Sequence, residues 1–338
     1  MRIGVIGAGS KDGSQGGAER FYEGLVYSLN QLGADAELLC PMSDETNFDT
    51  ILETYLKYYD LDLSSYDGVI STKAPAYIIR HPNHVCYLQH TMRVFYDMFE
   101  QEFPYATDEQ ILQRKFIITL DTAALKYPRT KKIYVIGNEV RNRLFKYNHL
   151  ESTVLYQGLL NDRFKEGSFN YIYLPGRLHR WKRVGLVIEA MRYVQSPVEL
   201  LISGIGEDED KFVKLANKDS RIKFLGRVSN EELVEYYSNA LCVPFVPLRE
   251  DFGLVTIEAF RSGKPVITCV DSGEPTYIVC DNETGYICNP DPREIASKID
   301  YFFQNPDIAE EMGIKGKLSI QSINWKTTAE TLITALQN

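Results

Sequence analysis

The sequence lacks the features that are typical of membrane-spanning, disulfide-bonded and metal-binding proteins. No apolar run approaches the roughly 18 residues that a membrane-spanning helix needs. The first residues enter a strand pattern directly and show no signal-peptide pattern, so we expect a cytoplasmic protein. The six cysteines include no C-x-x-C pair and mostly lie in apolar runs, which predicts reduced core thiols rather than disulfides or metal ligands.

An excess of positive charge is also absent. The net charge of -9 argues against broad nucleic-acid binding, although a local basic patch stays compatible with it. Internal repeats and low-complexity tracts are missing as well. What remains is typical of a soluble globular protein, with 44% hydrophobic and 25% charged residues. At 338 residues, against about 100 to 200 for a typical domain, two domains are expected.

Strand and helix patterns alternate along the whole chain, which is typical of α/β folds with parallel sheets. The segment "LLNDRFKEGSFN" has no periodicity, so we place the domain boundary near Leu160. We expect two doubly wound domains, residues 1–160 and 161–320, that face each other across a cleft. A final helix, residues 321–338, is a candidate to pack back on the first domain. Predicted strands are "DAELLC", "DGVIST", "HVCYLQH", "KIYVIG", "TVLYQG", "YIYLPG", "VELLISG", "IKFLG", "ALCVPFV" and "KPVITC".

The first loop, in "MRIGVIGAGSKDGSQGGAER", raises the question of a dinucleotide site. The dinucleotide-binding pattern needs a third glycine at a fixed offset and an acid at the end of the second strand. Here Asp12 takes the glycine position, and the second strand ends in Cys40 and Pro41. Instead, Gly16 and Gly17 precede a helical pattern, where free amides and the helix dipole favour an anion. A plain flexible loop is the alternative.

Two stretches of the second half carry charge where a phosphate could bind. In "PLREDFGLVTIEAFRSGKPVI", Glu250 and Glu258 bracket Phe252, Gly253 and Leu254, which are predicted to start a helix. An unpaired Glu258 on this largely apolar helix would be unfavourable. In "LPGRLHRWKRVGLVIEAM", Arg177 and Lys182 surround the start of another helix. A solvated basic surface is the alternative for that stretch. In "ISGIGED", Gly204 and Gly206 would let a flat base approach the backbone.

These stretches, together with "GGAER" and "FLGRVSNEEL" in the same order, resemble the signature of glycosyltransferase family 4, retaining enzymes of the GT-B fold. The resemblance extends from Gly16 to about Trp325. It implies an N-terminal acceptor-binding and a C-terminal nucleotide-sugar-binding Rossmann-like domain. Two departures stand out: Arg183 replaces the glycine that usually follows the lysine, and Asp12 must point away from phosphate.

The resemblance also implies roles for individual residues. Glu250 would bind hydroxyls of the donor sugar, Glu258 the ribose, and Arg177 and Lys182 the diphosphate. His90, in "YLQHTMRVF", would face the donor sugar, although a histidine at a strand end is also typical of a structural role. The expected catalytic residues are therefore His90, Glu250, Arg177 and Lys182. Further donor contacts would come from the backbone of Gly16, Gly17, Gly204, Val228, Phe252, Gly253 and Leu254.

The implied reaction moves a hexose, with retention, from a nucleoside diphosphate donor to a glycan or lipid-linked acceptor. UDP-glucose is the expected type of donor, and no metal or other cofactor is expected. Two alternatives stay open: a dinucleotide-dependent oxidoreductase, favoured only by "GVIGAGS", and a non-catalytic nucleotide-sugar-binding protein on the same fold.

Two further patterns concern the acceptor. Residues 93–105, "RVFYDMFEQEFPY", are rich in aromatics that either stack on a sugar or belong to the core. Residues 112–132 carry cations among apolar residues, which is compatible with docking at an anionic membrane or with a solvated helix face. These cations are Arg114, Lys115, Lys126, Arg129, Lys131 and Lys132. The oligomeric state has no signal in the sequence.

Overall fold

The computed structural model describes residues 1–9, 17–160 and 163–338. The chain divides into two compact α/β units. Unit 1 comprises Met1–Leu160 together with Ile323–Asn338, and unit 2 comprises Asn161–Ser322. The prediction of two doubly wound, Rossmann-like domains is confirmed, because each unit contains one parallel six-stranded sheet with helices. Gly16 and Asp12, singled out in the first loop, lie outside the described residues.

Unit 1 begins with the strand that the N-terminal pattern predicts. Its elements are β1 (Arg2–Ile6), α1 (Gly17–Gln31), β2 (Asp35–Leu39), α2 (Phe48–Tyr59), β3 (Gly68–Ser71), β4 (His84–Leu88), α3 (Phe99–Glu102), α4 (Asp108–Leu125), β5 (Lys132–Val135), α5 (Asn138–Asn148) and β6 (Thr153–Val154). Short 3₁₀ turns lie at Ala76–Ile78 and Arg93–Phe95.

Unit 2 repeats the alternation. Its elements are β7 (Tyr171–Pro175), α6 (Val184–Met191), β8 (Leu200–Ser203), α7 (Glu209–Leu215), β9 (Ile222–Gly226), α8 (Asn230–Ser238), β10 (Ala240–Pro244), α9 (Leu254–Arg261), β11 (Val266–Cys269), α10 (Pro275–Ile278), β12 (Gly285–Cys288), α11 (Pro292–Gln304) and α12 (Pro306–Ser319). A 3₁₀ turn covers Arg180–Lys182. The sequence patterns missed β12, which is only four residues long and follows a turn.

The order of the strands determines where each unit can bind a ligand. The sheet of unit 1 runs β2-β1-β3-β4-β5-β6, and that of unit 2 runs β12-β11-β10-β7-β8-β9. The central strands are buried on both faces, which explains their continuous apolar runs. In such sheets ligands bind outside the carboxyl ends of the strands, where the strand order reverses. In unit 2 this point lies between the neighbouring strands β7 and β10.

Local signals fix where several helices begin. Ser229 and Glu232 form a reciprocal capping box at the start of α8, and Thr107 and Gln110 form one at α4. Proline occupies the first turn of α11 and α12, where its missing amide hydrogen is not needed. These residues satisfy or avoid the free amides that every helix start exposes.

The last helix, α13 (Trp325–Gln337), packs against α1 and so belongs to unit 1. The Trp325 ring lies 5.4 Å from the Phe21 ring between ring centroids. Thr328 donates a hydrogen bond to the Tyr156 carbonyl, and Asn83 donates one to the Leu336 carbonyl. The C-terminal helix is therefore bonded to the first unit at both of its ends.

The aromatic stretch 93–105 belongs mainly to the core of unit 1. Phe95, Tyr96 and Phe99 are buried, whereas Tyr105 is 95% exposed. All six cysteines are free; Cys40 and Cys280 are exposed, and the other four are buried. The part of the chain that the structure describes contains no helix with the length and hydrophobicity that a membrane span requires.

Candidate active site

The loops that follow β7 and β10 meet in unit 2. They are held together by backbone hydrogen bonds, such as the one from the Leu248 amide to the Trp181 carbonyl, 2.7 Å long. The β7 loop carries Arg177 and Lys182, and the β10 loop carries Glu250. Because β7 and β10 are neighbours at the reversal of strand order, side chains 68 residues apart in sequence come into contact.

Lys182 and Glu250 form the central ion pair of this region. The Lys182 Nζ lies 2.6 Å from the Glu250 Oε2, and the side chains are 31% and 20% exposed. The Lys182 ammonium also lies 5.6 Å from the centroid of the Phe245 ring. Sequence analysis predicted both residues for the site, and the structure brings them together as partners of opposite charge.

The start of α9 lies next to Glu250 in the chain. Phe252 is buried, and Gly253 is the N-cap in the left-handed region, with φ 77° and ψ 66°. The amides of Leu254 and Val255 have no acceptor within the described part of the chain. Free amides at a helix start favour a negatively charged ligand. This helix start therefore has two free amide donors, and its role as an anion site stays a prediction.

Glu258 lies on α9 and is buried, with 7% exposure. Its Oε2 accepts a hydrogen bond of 2.7 Å from the hydroxyl of Tyr237 on α8. Tyr237 in turn packs edge-on against Tyr173 of β7. The Glu258 carboxylate is therefore turned into the unit and held by a tyrosine, so it is not unpaired on the apolar helix. Sequence analysis gave no signal for Tyr237.

Arg177 is exposed and faces a carboxylate from the next loop. Its guanidinium contacts Glu207 at 3.2 Å, and the His179 Nε2 lies 3.4 Å from the same carboxylate. The backbone amide of Glu207, and to a smaller extent the Arg177 charge, lower the pKa of Glu207. Partial burial lowers the pKa of His179. The motif "ISGIGED" thus supplies an acid that the sequence interpretation did not use.

Two further predicted donor contacts lie on neighbouring loops of unit 2. Gly204 follows β8, and its amide donates a 2.8 Å bond to the Gly226 carbonyl at the end of β9. Val228 lies between β9 and α8 and is partly exposed. Both positions are at the carboxyl edge of the sheet, on the β8 and β9 side of Lys182.

The predicted site residues of the first half lie in unit 1. His90 follows β4 and is partly exposed; its Nδ1 lies 2.9 Å from the Thr91 carbonyl oxygen. Gly17 is the first residue of α1. Among the described residues there is no cluster of three or more histidine, cysteine or acidic side chains that could hold a metal.

Sequence analysis noted Arg183 only as a departure from the family pattern and missed both its contacts and its partner Asp271. The Arg183 guanidinium makes two hydrogen bonds to Asp271, of 2.6 and 2.8 Å. It also donates to the carbonyls of Val246 and Pro247. Asp271 follows β11, 88 residues further along the chain, so no local pattern could pair it with Arg183.

Residues 160–319 match the family model described as "Glycosyl transferases group 1". Unit 2 belongs to this family. The match runs from before β7 to α12 and includes both loops that carry Lys182 and Glu250. This match supports the glycosyltransferase relationship that the motifs predicted, and the group 1 unit, which is unit 2, contains most of the predicted site residues.

The wider comparisons agree with this assignment of the group 1 unit. Alpha-1,3/1,6-mannosyltransferase ALG2 of Dictyostelium discoideum is 25% identical over 271 residues, which cover 72% of this chain and 64% of that protein. The chain therefore spans less than two thirds of the length of this relative.

Two solved structures share the GT-B fold. Sucrose-phosphate synthase from Thermosynechococcus elongatus is 19% identical, with a TM-score of 0.76 over 99% of this chain and 98% of that one. HepE of Anabaena, solved with UDP and glucose, is 15% identical, with a TM-score of 0.73 over 100% and 99%. These identities establish the fold alone.

Proposed function

We propose that the protein is a retaining glycosyltransferase that moves a hexose from a nucleoside diphosphate donor to a glycan or lipid-linked acceptor. The observation that carries the proposal is the Lys182–Glu250 pair, 2.6 Å apart, in the β7 and β10 loops of the group 1 unit. Glu250 is followed by the α9 helix start, whose free amides suit phosphate or sugar oxygens.

The chemistry follows from where negative charge develops. When the sugar leaves, charge builds on the diphosphate, and cations aimed at it bind the transition state better than the ground state. Lys182 is the cation for this task, with Arg177 as a second one. In the structure Glu250 neutralises Lys182, and Glu207 partly neutralises Arg177. A bound diphosphate would compete with these carboxylates for Lys182 and Arg177, which would leave Glu250 free to accept hydrogen bonds from the hydroxyls of the sugar.

We further propose UDP-glucose or a related UDP-hexose as the donor and a reaction without a metal. HepE was solved with UDP and glucose, and the Dictyostelium relative is named as a mannosyltransferase, which supports a hexose. Glu258 would bind the ribose, with its carboxylate oriented by Tyr237. His90 in unit 1 would face the donor sugar.

For the acceptor we propose a glycan or a lipid-linked glycan, with peripheral contact to an anionic membrane. Of the cations in residues 112–132, Arg114 pairs with Glu100, and Arg129 donates to the Ile78 carbonyl. Both side chains therefore already have partners within unit 1. Lys126, Lys131 and Lys132 are exposed, form no ion pair within the described residues and line one groove with the exposed Tyr127. These three lysines support the membrane contact.

Donor binding is tested by the thermal stability of the purified chain with UDP, GDP, ADP, their hexose derivatives and NADH. A ligand at 100 times its dissociation constant should stabilise the protein by about 2.7 kcal/mol. We expect UDP and a UDP-hexose to raise the Tm of the wild type but not that of Lys182→Ala. The control Lys211→Ala, an exposed lysine of α7, should keep the shift. Stabilisation by NADH alone would contradict the proposal.

Catalysis is tested by product formation with the donor so identified. Glu250→Ala should abolish transfer while nucleotide binding persists, because the nucleotide keeps its α9 amide donors. NMR of the product should show the anomeric configuration of the donor, and EDTA should leave the rate unchanged. A wild type that binds nucleotide but forms no product with any acceptor preparation would instead indicate a binding protein. Inverted stereochemistry, or a rate restored only by a divalent ion, would contradict the mechanism.

A further inference from the structure

Arg183 has a backbone conformation that non-glycine residues rarely adopt. It lies between the Arg180–Lys182 turn and α6, with φ 49° and ψ 36°. In this left-handed region Cβ approaches the following carbonyl oxygen, which makes the position unfavourable for arginine. An arginine held there indicates that its side chain compensates for the backbone.

The side chain of Arg183 makes hydrogen bonds to the segments that follow β10 and β11. Its Nε donates to the Val246 carbonyl at 2.6 Å, and its Nη2 donates to the Pro247 carbonyl at 2.9 Å, both just after β10. The same guanidinium binds both oxygens of Asp271, just after β11. A planar, two-pronged pair of this kind fixes orientation as well as distance, which lysine cannot do.

The segments that Arg183 joins are those that carry the central ion pair. Lys182 precedes Arg183 in the chain. On the other side, the Arg249 amide donates to the Asp271 carbonyl and the Glu250 amide donates to the Ser272 carbonyl. Arg183 is thus adjacent to Lys182 in the chain. Asp271 and Ser272 are hydrogen-bonded through their carbonyls to the segment that contains Glu250.

The positive charge of Arg183 is neutralised within unit 2 by Asp271. Its side chain is 18% exposed, and its partners are a carboxylate and two carbonyl oxygens. Such a cation, already neutralised, is a poor partner for a diphosphate. Lys182 differs in that its side chain is 31% exposed and, within the described chain, its ammonium bonds to Glu250 but to no carbonyl oxygen.

We propose that Arg183 and Asp271 are positioning residues that hold Lys182 and Glu250 at their 2.6 Å separation. For its effect on activity, this inference rests on the proposed transferase function. Small displacements of groups that contact the reacting atoms lower rates strongly, so a clamp one residue away affects catalysis without touching the substrate.

The experiment compares Arg183→Gly and Asp271→Asn with a matched clamp elsewhere in unit 2. Arg183→Gly removes the guanidinium and suits the left-handed backbone, so the variant should fold. The control is Arg221→Ala. Arg221 binds Asp219 and the carbonyls of Val194 and Ser196, next to the amino end of β9 and away from the site.

Two readouts are measured for each variant. The first is the acetylation rate of Lys182 by mass spectrometry, which reports the ion pair whether or not the protein is an enzyme. We expect a rise of several-fold in Arg183→Gly and Asp271→Asn and none in Arg221→Ala. The second is the pair of constants kcat and KM for the donor. We expect kcat/KM to fall about tenfold or more in both site variants, with no further loss in the double variant.

The outcomes separate the two proposals. If the wild type transfers no sugar but Lys182 acetylation still rises in Arg183→Gly, the proposed function fails and the positioning role stands. If the wild type is active and Arg183→Gly matches it in acetylation and in kcat/KM, the positioning role is overturned. Equal losses in Arg221→Ala would also overturn it, because they would show general destabilisation.

Discussion

At the scale of single residues, burial shifts the pKa values of two polar side chains in unit 1. Asp121 of α4 is fully buried, and its carboxylate accepts hydrogen bonds of 2.7 Å from the hydroxyls of Tyr55 and Tyr96. Burial raises the pKa of Asp121 to about 6, although the tyrosines oppose this. His84 of β4 is equally buried, and burial lowers its pKa to about 4. These two groups respond to acid in opposite directions.

The signs of both effects follow from linkage. The folded-state pKa of Asp121 lies above its unfolded value, so the folded state takes up a proton first and gains stability as the pH falls through 6. The folded-state pKa of His84 lies below its unfolded value of about 6.5, so the unfolded state takes up the proton first. Unit 1 then loses stability between about pH 6.5 and pH 4.

We expect Asp121→Asn to lose about 1 kcal/mol more than wild type when the pH falls from 7 to 5. His84→Gln should lose about 2 kcal/mol less than wild type over the same interval. The measurement is urea unfolding in a Trp181→Phe background, where Trp325 becomes the sole tryptophan and reports on unit 1. Parallel pH profiles of wild type and both variants would contradict these assignments.

In unit 2, too, a tyrosine hydroxyl donates a hydrogen bond to a buried carboxylate, from Tyr237 to Glu258. Replacement by phenylalanine leaves the buried Glu258 without its tyrosine donor, which we expect to destabilise unit 2 by about 1–3 kcal/mol. Tyr236→Phe is the matched control, since the neighbouring Tyr236 hydroxyl has no side-chain partner in the described chain. Unfolding followed through Trp181 in a Trp325→Phe background measures both variants. Equal losses would show that the hydroxyl of Tyr237 contributes nothing specific.

At the scale of elements, α1 and α13 approach each other through a glycine. A Cβ atom added to Gly24 of α1 would lie 2.4 Å from the Trp325 ring, closer than real contacts allow. Alanine normally stabilises a helix by about 1 kcal/mol relative to glycine. Here the indole would have to move, so the usual gain should be reversed.

We therefore expect Gly24→Ala to lower the stability of unit 1 by about 1–3 kcal/mol through overpacking. In a Trp325→Leu background the same change should be neutral or stabilising, because the ring that opposes it is gone. Urea unfolding followed by far-ultraviolet circular dichroism gives both differences. A stabilising Gly24→Ala in the wild-type background would mean that α13 does not pack on α1 in this way.

The elements also show which parts of the site could be predicted from sequence. Strand and helix patterns and the glutamates around "DFGL" are local, so the parallel sheets and the α9 start were predicted correctly. The contacts Glu258–Tyr237, Arg177–Glu207 and Arg183–Asp271 join residues 21, 30 and 88 positions apart. No spacing rule links such pairs, because the strand order brings them together.

On the scale of the whole molecule, charge is unevenly distributed. The net charge is -9, yet Lys126, Lys131 and Lys132 share one groove of unit 1. Each lysine near an anionic membrane surface contributes about 1 kcal/mol of binding. Because the protein as a whole is acidic, an anionic membrane would repel most of its surface. Binding to such a membrane should therefore depend on this lysine-lined groove.

We expect the triple change of Lys126, Lys131 and Lys132 to glutamate to abolish co-sedimentation with vesicles that contain phosphatidylserine. The control carries the same charge reversal at Lys211, Lys214 and Lys218 in and beside α7 of unit 2. Neutral phosphatidylcholine vesicles should bind none of the proteins. Wild-type binding that ignores anionic lipid, or equal losses in both triple variants, would contradict the proposed membrane contact.

The return of α13 to unit 1 has a consequence for synthesis on the ribosome. Unit 2 has all of its residues once Ser322 has been added to the chain, whereas unit 1 still lacks Trp325 and Leu336 at that point. N-terminal domains generally fold first during translation. In this chain unit 1 cannot be completed before unit 2, because its last helix is translated after unit 2.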